Sequence, residues 1–366
     1  MPETLASGES VVDAVQRSLR EAWGPKPPRV DLYLRAGCGA IDELHMLYPS
    51  IELFWPSFLG DVLIVLDQGD QDAMEAFRPA NWQTTKQSYR FVFEDVPCLS
   101  GRIFNQVSYL ELGMHSTADF VVTTDSDTVF HTPVTPDLLF DKQGRVMLAV
   151  ATKFQYDHWK QSAEFFTAKG RYRHHAMISQ PVTYAPSTLS EYLRWMDAGH
   201  GPHGKCYFDL VLERLIADPK GKAYCWMCQV GVYLTMQTDT VRRYNMVDVQ
   251  GDASGQPEGL YQRYALHIGY EPHNWGSKAK FRGDKFTIPM RVQHAMMGGL
   301  CNAFGDAKLP ECSSKDAQDD LAVVQDYAFR YTRNGVWGAS ADAKAAKLRE
   351  WQTHFRAAEA ATCGLS

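Results

Sequence analysis

The chain has 366 residues, 45% hydrophobic and 22% charged, values that allow one large domain or two average ones around a buried core and exclude a mainly disordered chain. Lysine and arginine number 37 against 43 aspartates and glutamates, a formal charge of −6, so the broad positive field that holds a nucleic-acid duplex is missing. The longest apolar run, Val146 to Ala151, falls far short of the roughly 18 residues of a membrane span. Eight cysteines are too sparse for a disulfide scaffold, and residues 1–10 carry neither the basic nor the apolar part of a secretory signal.

In chain order, Val11, Val12, Ala14, Val15, Leu19 and Trp23 recur at helical spacing over residues 10–23, and Gly24-Pro25-Lys26-Pro27-Pro28 ends that helix. Val30 to Arg35 reads as a strand, which Gly37-Cys38-Gly39 turns into a helix over Ile41 to Leu47. Asp61 to Asp67, five aliphatics between two acids, fits a strand covered on both faces in a parallel sheet. Tyr89 to Asp95 adds a strand and Asn105 to His115 a helix. Ala118 to Thr124 then forms a strand that runs straight into Asp125-Ser126-Asp127. This alternation predicts an α/β fold, a Rossmann-like open sheet flanked by helices with ligands gathered at the carboxyl ends of the strands. Helices over Ser187 to Ala198 and Phe208 to Ala217 follow, then short strands and a Gly-, His- and aromatic-rich stretch from Gly251 to Gly299. A polar helical stretch over 315–361 closes the chain.

The sharpest chemical feature is Asp125-Ser126-Asp127 at the end of an apolar strand. Two carboxylates at i and i+2 of a strand project to the same side, where they can share one divalent cation bridged to phosphate oxygens. A solvated strand-end turn uses the same residues without chemistry, but the apolar strand before the motif and Thr128-Val129-Phe130 after it argue against a casual surface loop.

At these residues the chain resembles the glycosyltransferases of the GT-A fold, whose Asp-x-Asp motif holds a metal against the diphosphate of a nucleotide sugar. The resemblance spans residues 29–270 and rests on Val30 to Arg35, Asp61 to Asp67, Asn105-Gln106 and Asp125 to Phe130, of which only the last is specific. It implies an open mixed sheet with a C-terminal helical extension. The implied divisions are a helical appendage (1–28), a nucleotide-sugar-binding half (29–150), an acceptor-binding and metal-completing half of the same domain (151–314), and a C-terminal helical segment (315–366). Asp125 would lie near the sugar or ribose, Asp127 would ligate Mn2+ or Mg2+ directly, and Arg35 and Asp67 would sit near the nucleotide. A late histidine commonly completes such a metal site, and His267, in Ala265-Leu266-His267-Ile268-Gly269, competes for that role with His294. Lys278 would meet the leaving diphosphate.

Asp209 and Glu213 are four apart, so a helix puts both on one face. An inverting reaction would use one as general base toward the acceptor, a carbohydrate or glycoconjugate hydroxyl. A retaining reaction would use them to bind acceptor hydroxyls, and a solvated helix face is the plain alternative. Arg171 to His175, Trp159, Tyr172, Trp226 and Trp275 are candidates for stacking on a sugar. His203, Cys206, Cys225 and Cys228 have the spacing of a zinc site, although buried thiols or a disulfide read the same residues differently. Two compartments fit: the cytoplasm, or a Golgi or ER lumen for a trimmed catalytic domain.

Rival readings are a haloacid-dehalogenase-like phosphatase with Asp125 as nucleophile, and a catalytically silent sugar- or nucleotide-binding protein. A nucleotidyltransferase lacks its glycine-rich phosphate loop here. The phosphatase motif normally follows the first strand of its domain, whereas Asp125 comes after at least three.

Overall fold

The computed structural model describes residues 5, 7–36, 41–72, 74, 85–94, 107–126, 128–150, 157–167, 181–201, 204–207, 209–211, 213, 225–236, 243–248 and 265–267. At its centre is a mixed, mostly parallel sheet of β1 (Val30–Arg35), β2 (Asp61–Asp67), β3 (Ser88–Glu94), β4 (Phe120–Asp125) and β7 (Val182–Tyr184), in the order β3-β2-β1-β4-β7. The first four run parallel, and β7 joins β4 antiparallel. Every side chain of β1 is buried, and so are those from Val62 to Asp67 in β2, as expected of strands covered on both faces. Two small sheets flank it: β5 (Thr128–Phe130) pairs antiparallel with β9 (Ala265–His267), and β6 (Val146–Val150) pairs parallel with β8 (Tyr244–Asp248).

The N-terminal helix, α1 (Val11–Trp23), is capped by Ser10 and stops at Gly24, whose φ of 71° suits a residue without a Cβ. Its apolar face buries Val11, Ala14, Val15, Leu19 and Trp23, and the Trp23 indole donates to the Val134 carbonyl at 2.9 Å. Helix α2 (Ile41–Phe54) runs past the Leu47 end expected from sequence, through Pro49. A proline removes one ladder donor, but Ser50 Oγ donates to the Leu47 carbonyl at 2.6 Å, and buried Ile51, Leu53 and Phe54 anchor the added turn. Beyond the sheet lie α5 (Asp157–Thr167), α6 (Pro186–Trp195) and α7 (Trp226–Met236), preceded by two one-turn helices, α3 (Leu112–His115) and α4 (Pro136–Leu139). No helix among the described residues is long and apolar enough to cross a membrane. The C-terminal helical segment expected over 315–366 lies outside the described residues.

One buried aspartate, Asp31, fixes the amino-terminal edge of the sheet. It accepts from the Asp61 backbone N–H at 2.8 Å and from Ser116 Oγ at 2.7 Å, tying β1 to β2 and to the residue after α3. Gly60 passes so close that a Cβ there would lie 2.3 Å from Asp31 Oδ1 and 2.7 Å from the Val30 carbonyl oxygen, so glycine is required by space.

Tyr244, on β8, is buried with its hydroxyl 2.7 Å from Thr188 Oγ1 and accepting from the Ala185 N–H at 3.1 Å. Burial pushes its phenol up to about 12, against the lowering effect of those hydrogen bonds. The raised folded-state value means its contribution to stability is complete below the ordinary phenol value of 10 and is lost as pH rises through 12. Urea midpoints across that range should show the parent chain losing about 2–3 kcal/mol that the Tyr244→Phe variant does not lose. Equal alkaline slopes in the two chains would contradict it.

Candidate functional site

Each of the four parallel strands ends in a charged residue: Arg35 on β1, Asp67 on β2, Glu94 on β3 and Asp125 on β4. The register aligns Arg35 with Asp125 across β1 and β4, and Asp67 with Glu94 across β2 and β3. A buried parallel strand tolerates charge best where it leaves the core, so the carboxyl edge of this sheet collects the polar chemistry.

Arg35 is buried and fully engaged. Its guanidinium bonds to Asp67, to the Ala36 carbonyl and, through Nε, to Ser108 Oγ at 3.3 Å, with Glu94 Oε2 also at 3.3 Å. Burial opposes that positive charge, but Glu94 and Asp67 outweigh it and hold the guanidinium above its ordinary value. Glu94 answers in kind. Burial pushes its carboxyl up, while the close approach of His115, the Arg35 charge and the bond from Ser108 Oγ at 2.6 Å together bring it below the usual value. The two residues expected beside a nucleotide, Arg35 and Asp67, therefore face each other inside the edge.

Asp125 is half-buried at the end of β4. The Tyr109 hydroxyl donates toward the Thr124 carbonyl at 2.7 Å and Asp125 Oδ1 at 3.2 Å, and accepts from the Arg35 N–H at 3.4 Å. One hydroxyl thus fixes the mouth of β4 against that of β1. Tyr109 is itself held between rings, stacked on Trp226 at 5.1 Å and 13° and packed on Tyr33 at 5.5 Å, which in turn stacks on His115. Part of the aromatic excess builds this column.

Past the motif, β5 begins at Thr128, whose Cα partner in the antiparallel pair is His267 on β9. A histidine 139 positions beyond Thr128 in sequence is thereby placed at a register position next to the Asp-x-Asp turn. Thr128 Oγ1 and Thr124 Oγ1, flanking that turn, are buried hydroxyls with no hydrogen-bond partner among the described residues. Asp125 and these two hydroxyls thus flank the turn in sequence, with His267 in register next to it. Asp127, Lys278 and His294 lie outside the described residues, as do Tyr172 and Trp275.

Asp209 and Glu213 are both helical and exposed, and Glu213 pairs with Lys205. Trp226 and Trp159, candidates for sugar stacking, are instead buried: Trp226 packs on Tyr109 and Tyr184, and Trp159 lies in a cluster with Ala163, Cys225, Cys228 and Val232. Cys225 and Cys228 form a disulfide, and Cys206 is also disulfide-bonded, so these sulfurs are not available as zinc ligands. Two residues between the cysteines fit a bridge across one helical turn, and the apolar surroundings bury it.

Sequence reasoning missed Tyr109, Glu111 and His115. Glu111 and His115 are four apart at the end of a stretch expected to be helical, a spacing that marks a shared face. Nothing local marks Tyr109, whose hydrogen-bond partners lie on β1 and β4 and whose ring stacks on Trp226 of α7.

No protein-family model matches the chain, and no curated protein matches it. Solved structures with a similar arrangement include an active-site mutant of LgtC, 12% identical over 80% of this chain and 100% of that one, with a TM-score of 0.40. Another is galactosyltransferase LgtC in complex with donor and acceptor sugar analogs, 13% identical over 75% and 95% of the two chains, with a TM-score of 0.39. A protein described as a glucose-1-phosphate thymidylyltransferase of Bacillus anthracis, solved with a sucrose, is 10% identical over 60% and 87%, with a TM-score of 0.32. Likenesses at these scores and identities do not bear on activity.

Proposed function

We propose that the protein is a metal-dependent glycosyltransferase that moves a sugar from a nucleotide-diphosphate donor to a carbohydrate or glycoconjugate hydroxyl. The observation that carries this reading is the pairing of Thr128 with His267, which brings a late histidine beside an Asp-x-Asp turn at the carboxyl edge of a parallel sheet. Asp125, Asp127 and His267 are the residues that would hold Mn2+ or Mg2+. Held by these residues, a divalent cation would supply positive charge to the diphosphate leaving group.

The chain's own groups do the rest. Tyr109 orients the Asp125 carboxylate through the 3.2 Å contact and keeps the β4 mouth in register with β1. The ion-paired Arg35, Asp67 and Glu94 form a rigid floor, which holds the edge in one geometry. Lys278 is assigned to the leaving diphosphate. Asp209 and Glu213 are assigned to the acceptor, as general base in an inverting reaction and as hydroxyl ligands in a retaining one. Of the two compartments, an oxidising lumen fits a chain with disulfides.

Thermal shift with uridine, guanosine and cytidine diphosphates, each with and without Mn2+, tests the reading. One of them should raise Tm in a Mn2+-dependent way, the free energy behind that rise being about 2.7 kcal/mol at 100 times Kd. No metal-coupled stabilisation by any of the three would move the assignment to the phosphatase or to the silent binder.

A further inference from the structure

We propose that Glu94, Glu111 and His115 form a binding site for a first-row divalent transition metal, separate from the Asp125 motif. One ligand atom from each lies within 4.8 Å of the other two. Glu94 ends β3, while Glu111 and His115 come from the helical segment over 107–115, so the sheet edge and the segment that carries Tyr109 would share one ion.

A second observation is independent of that proximity. Glu94 Oε1 belongs to a carboxylate only 7% exposed, makes no hydrogen bond among the described residues, and points at His115 Nε2, 3.7 Å away. That distance is too long for a hydrogen bond. It is close to the spacing of two ligands of one ion, since donors roughly 2.0–2.2 Å from a shared tetrahedral metal sit about 3.3–3.6 Å apart. His115 Nε2 is likewise buried and, apart from its approach to Glu94, makes no hydrogen bond among the described residues.

Charge points the same way. Glu94 and Glu111 are buried, at 8% and 4% exposure, and Glu94 pairs with Arg35, which it shares with Asp67, and with His115. Buried carboxylates are paired or bind metal, because leaving them uncompensated costs several kcal/mol. The imidazole selects the ion class. Two carboxylate oxygens alone suit Mg2+ or Ca2+, whereas a nitrogen donor beside them favours Zn2+ or Mn2+. Bound there, the ion would clamp the segment over 107–115 to β3, and with it Ser108 and Tyr109.

The test uses the full chain carrying Asp125→Asn and Asp127→Asn, so that the proposed donor site is disarmed. Stripped with chelator and dialysed against Zn2+, it is expected to retain one Zn2+ per chain by elemental analysis. Adding Glu111→Gln or His115→Gln should weaken that binding at least about tenfold. Zn2+ should also protect the backbone amides over 107–115 from hydrogen exchange mapped by mass spectrometry, since the ion would clamp that segment to β3. The protection measurement also runs on the unsubstituted chain and so needs no variant to fold. Retention of Zn2+ undiminished by Glu111→Gln and His115→Gln, no retention by the double variant, or amide exchange over 107–115 unchanged by Zn2+ would each overturn the proposal.

Discussion

Asp125→Asn and Asp127→Ala should each reduce sugar transfer by about 10²- to 10³-fold or more, since each removes charge stabilisation made mainly in the transition state. Unfolding temperatures should stay close to that of the parent. Asp125 is half-exposed, and the Tyr109 hydroxyl that touches it also donates to the Thr124 carbonyl, so an amide at 125 leaves that anchor in place. The measurement is turnover of the nucleotide sugar that stabilises the chain in thermal shift, with and without chelator. Full activity in either variant, or undiminished turnover in chelator, would remove the metal-dependent reading. It would leave the separate Glu94 site standing, because that site is read by retained metal and not by turnover.

The largest stability effect should come from Arg35→Met. The methionine keeps much of the stem volume but leaves Asp67 and Glu94 buried without their guanidinium, and removing one partner of a buried pair costs about 3–5 kcal/mol. Arg35 also binds the Ala36 carbonyl and Ser108 Oγ, which places the loss at the upper part of that range. Urea unfolding at neutral pH reads it directly. A variant within about 1 kcal/mol of the parent, the scale of an exposed pair, would show that the cluster is hydrated and loosely held.

The same arginine shows how far sequence alone reaches. Val30 to Arg35 is legible as a strand because its apolar run is local, and its charged end points to the working edge of a parallel sheet. Which charge Arg35 meets is a different matter. Its partners lie 32 and 59 positions away, and both strand order and register decide that they are Asp67 and Glu94. Helix α2 teaches the converse: Pro49 is a local stop signal, and the packing of Ile51, Leu53 and Phe54 overrides it. Trp226 reads equally well as a sugar platform or as core. Only its stacking on Tyr109 separates the two.

Histidine follows the same rule. His267 and His294 are equivalent candidates on composition, and a short strand next to a glycine is weak ground for choosing between them. The antiparallel pairing of Ala265–His267 with Thr128–Phe130 gives His267 a position beside the motif, while His294 lies outside the described residues.

By itself the sequence determined the alternating strands and helices, the buried character of β1 and β2, and an Asp-x-Asp turn at the end of β4, because hydrophobic periodicity and i, i+2 spacing are properties of neighbouring residues. The tertiary structure alone decided that Arg35 is spent on Asp67 and Glu94, that Tyr109 holds Asp125, that His267 runs beside Thr128, and that Glu94 meets Glu111 and His115. Each of these joins residues from separate elements. Their proximity follows from the order in which strands pair and from the segment packed on the sheet edge, and no local pattern encodes that order.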